Sequence, residues 1–293
     1  MFKTRTPRTL ALAFALAAAL LPASPRAAAP ADDRSKAEEV IAKHLEALGP
    51  QAARAAAQTR IVGGSSRAVF KARSTSGAID GQVVIASAKN KVVLGMRFEA
   101  PNYPGERFGF DGKKFTVGYL TPGVRSPLGN FALTNDVLFK EGLIGGTLSS
   151  AWALLNVADR KAKVEYAGTD KVNNRPVHKV RYTPKGGSDL NITLFFDAET
   201  YHHVRTQYDR IIGAKLGAGG VNAQANQTET RYRIVEDFSD FKKEGQLTFP
   251  HSYNLQLEIT KTQGSSLDKW EMTLSQFAFD QEVEDKTFNV ESD

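Results

Sequence analysis

From Arg60 to the C-terminus, apolar residues recur at two-residue steps, with Gly, Asn and Asp punctuating the runs. The clearest stretch sets Tyr253, Leu255, Leu257 and Ile259 against Asn254, Gln256 and Glu258. Successive side chains on a strand point to opposite faces, so this run builds a sheet with one wet face and one buried face. That alternation belongs to antiparallel sheets, because parallel sheets are buried on both faces. Strands are read at 81–89, 92–98, 106–110, 114–120, 163–166, 178–182, 191–196, 204–210, 230–238, 248–260 and 270–279. The spacing predicts a large mainly-β fold of about 10 or 11 consecutive strands. Asp111-Gly112 marks a hairpin turn, since Gly accepts positive φ, and residues 197–200 mark another turn.

Three segments depart from this pattern. Ser35 and Glu38 form a capping box ahead of Ala37, Val40, Ile41, His44, Leu45 and Leu48, one face of an amphipathic helix that Gly49-Pro50 ends. Residues 51–58 add a turn or two. Residues 138–157 are apolar and too irregular for a strand; Thr147 is positioned to cap a helix containing Leu148, Ala151, Trp152, Leu154 and Leu155. Apolar on more than one face, that helix is expected to be buried or to cover an apolar cavity. Residues 213–226, rich in Gly, Ala, Asn and Gln, read as a loop that is disordered or a lid.

The first 31 residues read as a secretory signal peptide: Lys3, Arg5 and Arg8, an apolar run from Leu10 to Leu21, then small residues up to Ala31. The run is too short to span a bilayer, which needs about 20 apolar residues. A single domain over 32–293 is expected, delivered to the periplasm. Those first residues hold four of the 38 basic side chains and none of the 32 acidic ones, so the remainder is nearly neutral. With no basic stripe, nucleic acid is a poor partner. There is no cysteine, which excludes a lipobox anchor, thiolate metal sites and cysteine nucleophiles. No transmembrane segment is expected after signal removal.

Motifs for chemistry are missing: no P-loop, no dinucleotide fingerprint and no Gly-x-Ser-x-Gly elbow. His202 and His203 are adjacent, so in a strand they face opposite sides and cannot share a metal; surface or edge histidines are expected. The carboxylates between Asp280 and Asp285 read as a solvated turn. No cofactor is expected.

The order of parts resembles the LolA/LolB-like superfamily of periplasmic lipoprotein carriers and lipoprotein-sorting-like proteins. An amphipathic N-terminal helix precedes strands with the hairpin Asp111-Gly112-Lys113. The apolar insertion at 138–157 follows, then the turn Phe196-Asp197-Ala198-Glu199-Thr200. Next come a stretch from Phe238 to Pro250 containing Asp240-Phe241 and a short final strand with Phe288. The resemblance implies an incomplete β-barrel with helices closing its concave face, which takes lipids or lipoprotein acyl chains. In carriers of the family an Arg-Pro pair after the second long strand helps hold the closed state. The corresponding stretch here is Ala88-Lys89-Asn90-Lys91, so Lys89 is the gating candidate and the proline is missing.

Residues expected to face such a cavity are Val83, Ile85, Phe98, Phe108, Phe110, Phe115, Trp152, Leu155, Leu194, Phe196, Tyr253, Leu255, Leu257, Ile259, Trp270, Met272 and Leu274. A filled core needs the same alternation, so hollow and solid interiors both stay open. A non-catalytic lipid binder is the leading expectation. An envelope-protein interaction module of the same fold is the second, and an enzyme the third.

Overall fold

The computed structural model describes residues 30–71, 76–213 and 229–291. Apart from their margins, the expected signal peptide and the 213–226 loop lie outside the described residues. Two helices come first, α1 (Pro30–Leu48) and α2 (Gln51–Ala56). Ala37, Val40, Ile41, His44 and Leu48 are buried along one face of α1, as their spacing predicts. The capping box does not cap. α1 begins at Pro30, and Ser35 and Glu38 are exposed within it; Glu38 accepts from Arg34 Nε, one turn earlier, at 2.9 Å. Gly49 ends α1 at φ +143°, where a Cβ would lie 2.6 Å from the Gln246 carbonyl oxygen.

Twelve strands are described. The first five are β1 (Thr59–Lys71), β2 (Ser76–Ala88), β3 (Lys91–Phe98), β4 (Gly105–Phe110) and β5 (Phe115–Val117). After an insertion come β6 (Lys163–Val172), β7 (Arg175–Thr183), β8 (Asn191–Asp197), β9 (His203–Ile212), β10 (Thr230–Glu244), β11 (Leu247–Lys261) and β12 (Gly264–Phe279). They form one antiparallel sheet in the order β5-β4-β3-β2-β1-β12-β11-β10-β9-β8-β7-β6. The sheet does not close: β5 and β6 are its edges, which makes it an incomplete barrel. Eleven strands match the sequence expectation, and β1 is the addition. Its centre, Gly63-Gly64-Ser65-Ser66, lacks the apolar alternation that marks the others. A bulge at Gly63/Gly64 shifts the register there, and a Cβ on Gly64 would lie 2.0 Å from the Thr273 carbonyl oxygen.

The hairpin turn at Asp111 is confirmed. Asp111 Oδ1 accepts from the amides of Lys113 and Lys114, and Gly112 sits at φ +93°. Asp197 likewise takes the amides of Glu199 and Thr200 in the second expected turn.

The helix expected from the Thr147 cap through Leu155 is not formed: the backbone leaves the helical region at Ser149 (ψ 141°) and at Trp152 (ψ 123°). The insertion is a series of short turns: α3 (Pro127–Thr134), α4 (Val137–Lys140), single 3-10 turns at Gly146–Leu148 and Ala153–Asn156, and α5 (Val157–Arg160). Gly142, Gly145 and Gly146 adopt φ of +65°, +75° and +51°, which no right-handed helix passes through. Thr147 therefore caps nothing. The side-chain cap is Ser126, which accepts the Gly129 amide at 2.8 Å at the start of α3. The final segment also differs from expectation: Phe288 is buried at the end of a 3-10 turn (Asp285–Phe288), not in a strand.

Candidate functional site

The insertion lies over the inner face of the sheet, and one continuous apolar cluster joins the two. Register explains who faces inward: Phe238 pairs with Tyr253, Tyr253 with Met272, and Leu255 with Trp270, so these side chains form rows on one face. All the expected cavity residues are brought together. Fifteen of them (Val83, Ile85, Phe98, Phe108, Phe110, Phe115, Trp152, Leu194, Phe196, Tyr253, Leu255, Leu257, Trp270, Met272 and Leu274) are buried in this cluster. Leu155 and Ile259 are partly buried and pack against it. The insertion contributes the opposite wall. Phe139 stacks on Phe108 and Phe115 with centroids at 5.3 and 4.5 Å, and Trp152 stacks on His203 at 4.7 Å.

What fastens this cover is polar. Glu236 on β10 is fully buried; its Oε1 accepts the Gly145 amide and the Tyr253 hydroxyl, both at 2.7 Å, and its Oε2 accepts the Tyr208 hydroxyl at 2.6 Å. Burial outweighs these three bonds and raises its pKa to about 7. Glu106 on β4 repeats the device, taking the Ser126 hydroxyl at 2.8 Å and the Tyr103 hydroxyl at 2.7 Å. Burial raises it to about 7 as well. Tyr103 in turn accepts Trp270 Nε1 at 2.8 Å. From β2, Ser87 Oγ accepts the Ser150 amide at 2.8 Å. From β7, the Tyr182 hydroxyl donates to Glu141 at 2.6 Å.

The buried cation among these ties is Arg60 on β1. Its Nη1 donates to the carbonyls of Thr147 at 2.6 Å and Ser149 at 3.0 Å. Among the described residues no carboxylate pairs with it; its Nε and Nη2 are buried without a hydrogen-bond partner, and its Cζ lies 5.3 Å from the Phe249 ring centroid. Burial lowers its pKa to about 10, so it stays charged. The gating candidate Lys89 sits beside it, in the β2–β3 turn at φ +56°. Its backbone takes part, accepting the Ser150 hydroxyl at 3.3 Å and donating its amide to Gln58 at 2.8 Å.

His203 corrects the expectation of a surface or edge position: it is buried under the insertion, beside His44, which is buried on the apolar face of α1 as its spacing predicts. His44 Nδ1 donates to the Tyr201 carbonyl at 3.0 Å, and its Nε2 accepts Trp152 Nε1 at 3.2 Å. Those partners require the neutral Nδ1–H tautomer, and burial lowers the pKa to about 4. His203 Nε2 meets the Thr206 hydroxyl at 2.8 Å, while burial and then the neighbouring His44 hold its pKa well below the usual range. His202 points the other way, stacking on Phe241 at 4.3 Å. Among the described residues no group of three His, Asp or Glu is placed to hold a metal ion. Nor is any described helix long and apolar enough to cross a membrane.

Arg60, Glu106 and Glu236 were not among the sequence candidates. Each stands at an inward position of its strand, in step with Val62, Phe108 and Phe238 respectively, and a charge on the apolar parity is the signal that marks it.

No family model and no curated protein matches the chain. Among solved structures it is similar to a putative outer membrane lipoprotein-sorting protein domain from Vibrio parahaemolyticus, at 14% identity over 86% of this chain and 97% of that one, TM-score 0.46. It is similar to a DUF1329 family protein from Desulfovibrio piger, at 8% identity over the same shares and TM-score 0.40. It is also similar to a LolA superfamily protein from Nitrosomonas europaea, at 13% identity over 86% of this chain and 97% of that one, TM-score 0.47.

Proposed function

We propose that this chain is a non-catalytic periplasmic binder of lipids or of lipoprotein acyl chains, held between the inner face of the sheet and the insertion. One observation carries the reading: the insertion covers a wide apolar face, yet no strand of it pairs with that face. Side chains fasten it one at a time, from β1, β2, β4, β7 and β10. A cover attached this way separates from the sheet without unravelling the sheet's own ladder. Each methylene of an acyl chain entering the gap is favoured by about 0.8 kcal/mol. A single chain of ordinary length then binds tightly with little polar recognition, which agrees with the lack of catalytic motifs. The N-terminal signal pattern supports export to the periplasm.

The test is native mass spectrometry of residues 32–293 purified from a periplasm without detergent. A reproducible mass excess, lost on denaturation and identified as lipid or lipopeptide, is the expected result. A clean apo mass, with no displacement of an apolar fluorophore by fatty acids, rules the reading out.

A second reading is favoured by the outer face. Val84 and Tyr119, each 42% exposed, border a hollow of about 580 Å³ with Gly95, Pro104 and Leu120. A hollow that sets these apolar residues beside Arg97 and Arg107 suits an envelope protein partner. Cross-linking from Tyr119 in envelope extract that yields no discrete adduct counts against it.

A further inference from the structure

Beside the insertion opens a second hollow, of about 690 Å³, between α1, α2, the β2–β3 turn and α5. Three separate segments each bring a cation to its lining: Arg54 from α2, Lys89 from the turn and Arg160 from α5. Among the described residues no Asp or Glu lines it. The guanidinium Nε of both Arg54 and Arg160 is buried without a hydrogen-bond partner. Arg160 spends its other nitrogens on the wall, with Nη1 on the Lys140 carbonyl at 3.2 Å and Nη2 on the Ala151 carbonyl at 2.9 Å. Behind the lining, Arg60 holds the carbonyl of Ser149, next to the lining residue Ser150, and has two further donors unpaired. Burial lowers the Arg54 pKa, and the one acid that raises it is Glu46, exposed on α1.

The floor is apolar. Leu45 and Leu155 line the hollow and pack against the inner-face cluster, so these two apolar side chains border both the hollow and the covered face. An anion between these three cations is attracted by each of them, and more strongly in a partly desolvated hollow than in open water. Guanidinium groups match phosphate oxygens in geometry as well as charge.

We infer that this hollow binds the phosphate-type anionic headgroup of an amphiphile whose chains lie beneath the insertion. The inference rests on the lipid-binding reading for the chains, whereas the anion site stands on its own residues. It assigns the chain a preference among lipids: anionic over neutral headgroups.

The experiment uses residues 32–293 with the fluorophore N-phenyl-1-naphthylamine as reporter. Dodecyl phosphate and dodecan-1-ol are the displacing probes. Dodecyl phosphate is expected to displace the dye at about tenfold lower concentration than the alcohol, a difference of about 1.4 kcal/mol. The double variant Arg54→Gln with Lys89→Gln, which spares the wall contacts of Arg160, brings the two probes together, and so does high salt. In parallel, inorganic phosphate is titrated by ³¹P line broadening, which needs no acyl binding. Broadening by the parent chain and its loss in the double variant supports the site even if neither amphiphile displaces dye, an outcome that would sink only the lipid reading. Equal displacement by both probes, with no phosphate broadening, overturns the headgroup site and leaves the acyl site standing.

Discussion

Arg60 reaches from the first strand of the sheet to the carbonyl of Thr147, 87 residues later, and donates to it at 2.6 Å. The same nitrogen takes the Ser149 carbonyl, which also accepts the Trp152 amide at 3.3 Å, so one guanidinium pins both ends of a turn. Among the described residues no carboxylate pairs with the guanidinium. The contact therefore holds the cover down while leaving part of the guanidinium unsatisfied.

Replacing Arg60 with Met keeps volume and removes the charge along with both bonds. Protection of the amides from Gly145 to Ser150 is expected to fall by more than that of the sheet amides, because the bonds lost belong to the insertion. Global stability changes by only about 1–2 kcal/mol, since relief of the buried charge offsets part of the loss. Hydrogen exchange by mass spectrometry reads both. Equal loss of protection in β10 and in the insertion would refute a local latch.

Glu236 gives a pH dependence with a defined sign. Its pKa is raised from 4.5 to about 7, so the carboxylate costs stability once ionised. Its contribution is fully present below pH 4.5 and is lost as pH rises through about 7. Glu236→Gln is expected to match the parent at low pH and to exceed it by up to about 3 kcal/mol above pH 7, the equivalent of that shift. Thermal melts from pH 4.5 to 8 on both chains measure the gap. A gap that is constant with pH removes Glu236 as its source.

His44 works in the opposite direction. Its pKa is lowered to about 4 by burial, so the neutral ring contributes stability that is present above pH 6.5 and lost as pH falls toward 4. His44→Gln, which keeps a donor and an acceptor, is expected to flatten the acid limb of the melting curve. ¹⁵N chemical shifts of the imidazole should show the Nδ1–H tautomer at pH 7; a mixture of tautomers would contradict the Tyr201 and Trp152 contacts.

Gly142 tests the shape of the cover. At φ +65°, its Cβ would lie 1.9 Å from the Ala151 carbonyl oxygen, inside the insertion's own fold. Gly142→Ala is expected to lower stability by about 1–3 kcal/mol and to increase binding of an apolar dye by loosening the cover. Gly168→Ala, at φ +89° in open space, controls for backbone strain alone. Similar dye binding by the two variants would show that the cover is indifferent to that contact.

Phe288 anchors the C-terminal segment to the outer face, packed with Ala86, Val93 and Val290. Val290 donates its amide to Thr116 at 3.1 Å alongside. Phe288→Ala is expected to cost about 3–5 kcal/mol, measured by urea unfolding. A cost below 1 kcal/mol would mean that the segment lies on the sheet without bracing it.

The strands were readable wherever one face is wet and the other apolar, because that contrast writes itself into every second residue. β1 escaped because its centre is Gly and Ser, whose job is close approach at a bulge and not apolar burial. The insertion escaped for a different reason. Its composition announces burial, but its path is set by three glycines of positive φ and by bonds from distant strands, and no local periodicity records either. The inward positions are legible as a set, whereas the polar members Arg60, Glu106 and Glu236 interrupt the apolar alternation that marks it. Burial of His44 follows from its place on the apolar face of α1, whereas that of His203 depends on which way β9 meets the insertion.

The strand order has a consequence for how such a chain is made. β1 is flanked by β2 and β12, so the first strand of the sheet in chain order acquires one neighbour at once and the other only when the last strand arrives. Until then the protein is two meanders, β1–β5 and β6–β11, with β1 and β11 each presenting a bare seam of unpaired amides where β12 belongs. The joint between them is the last long-range ladder to form, and residues 264–279 are the ones that complete it. A chain cut short by even that one hairpin arm keeps most of its local pairings and loses its middle.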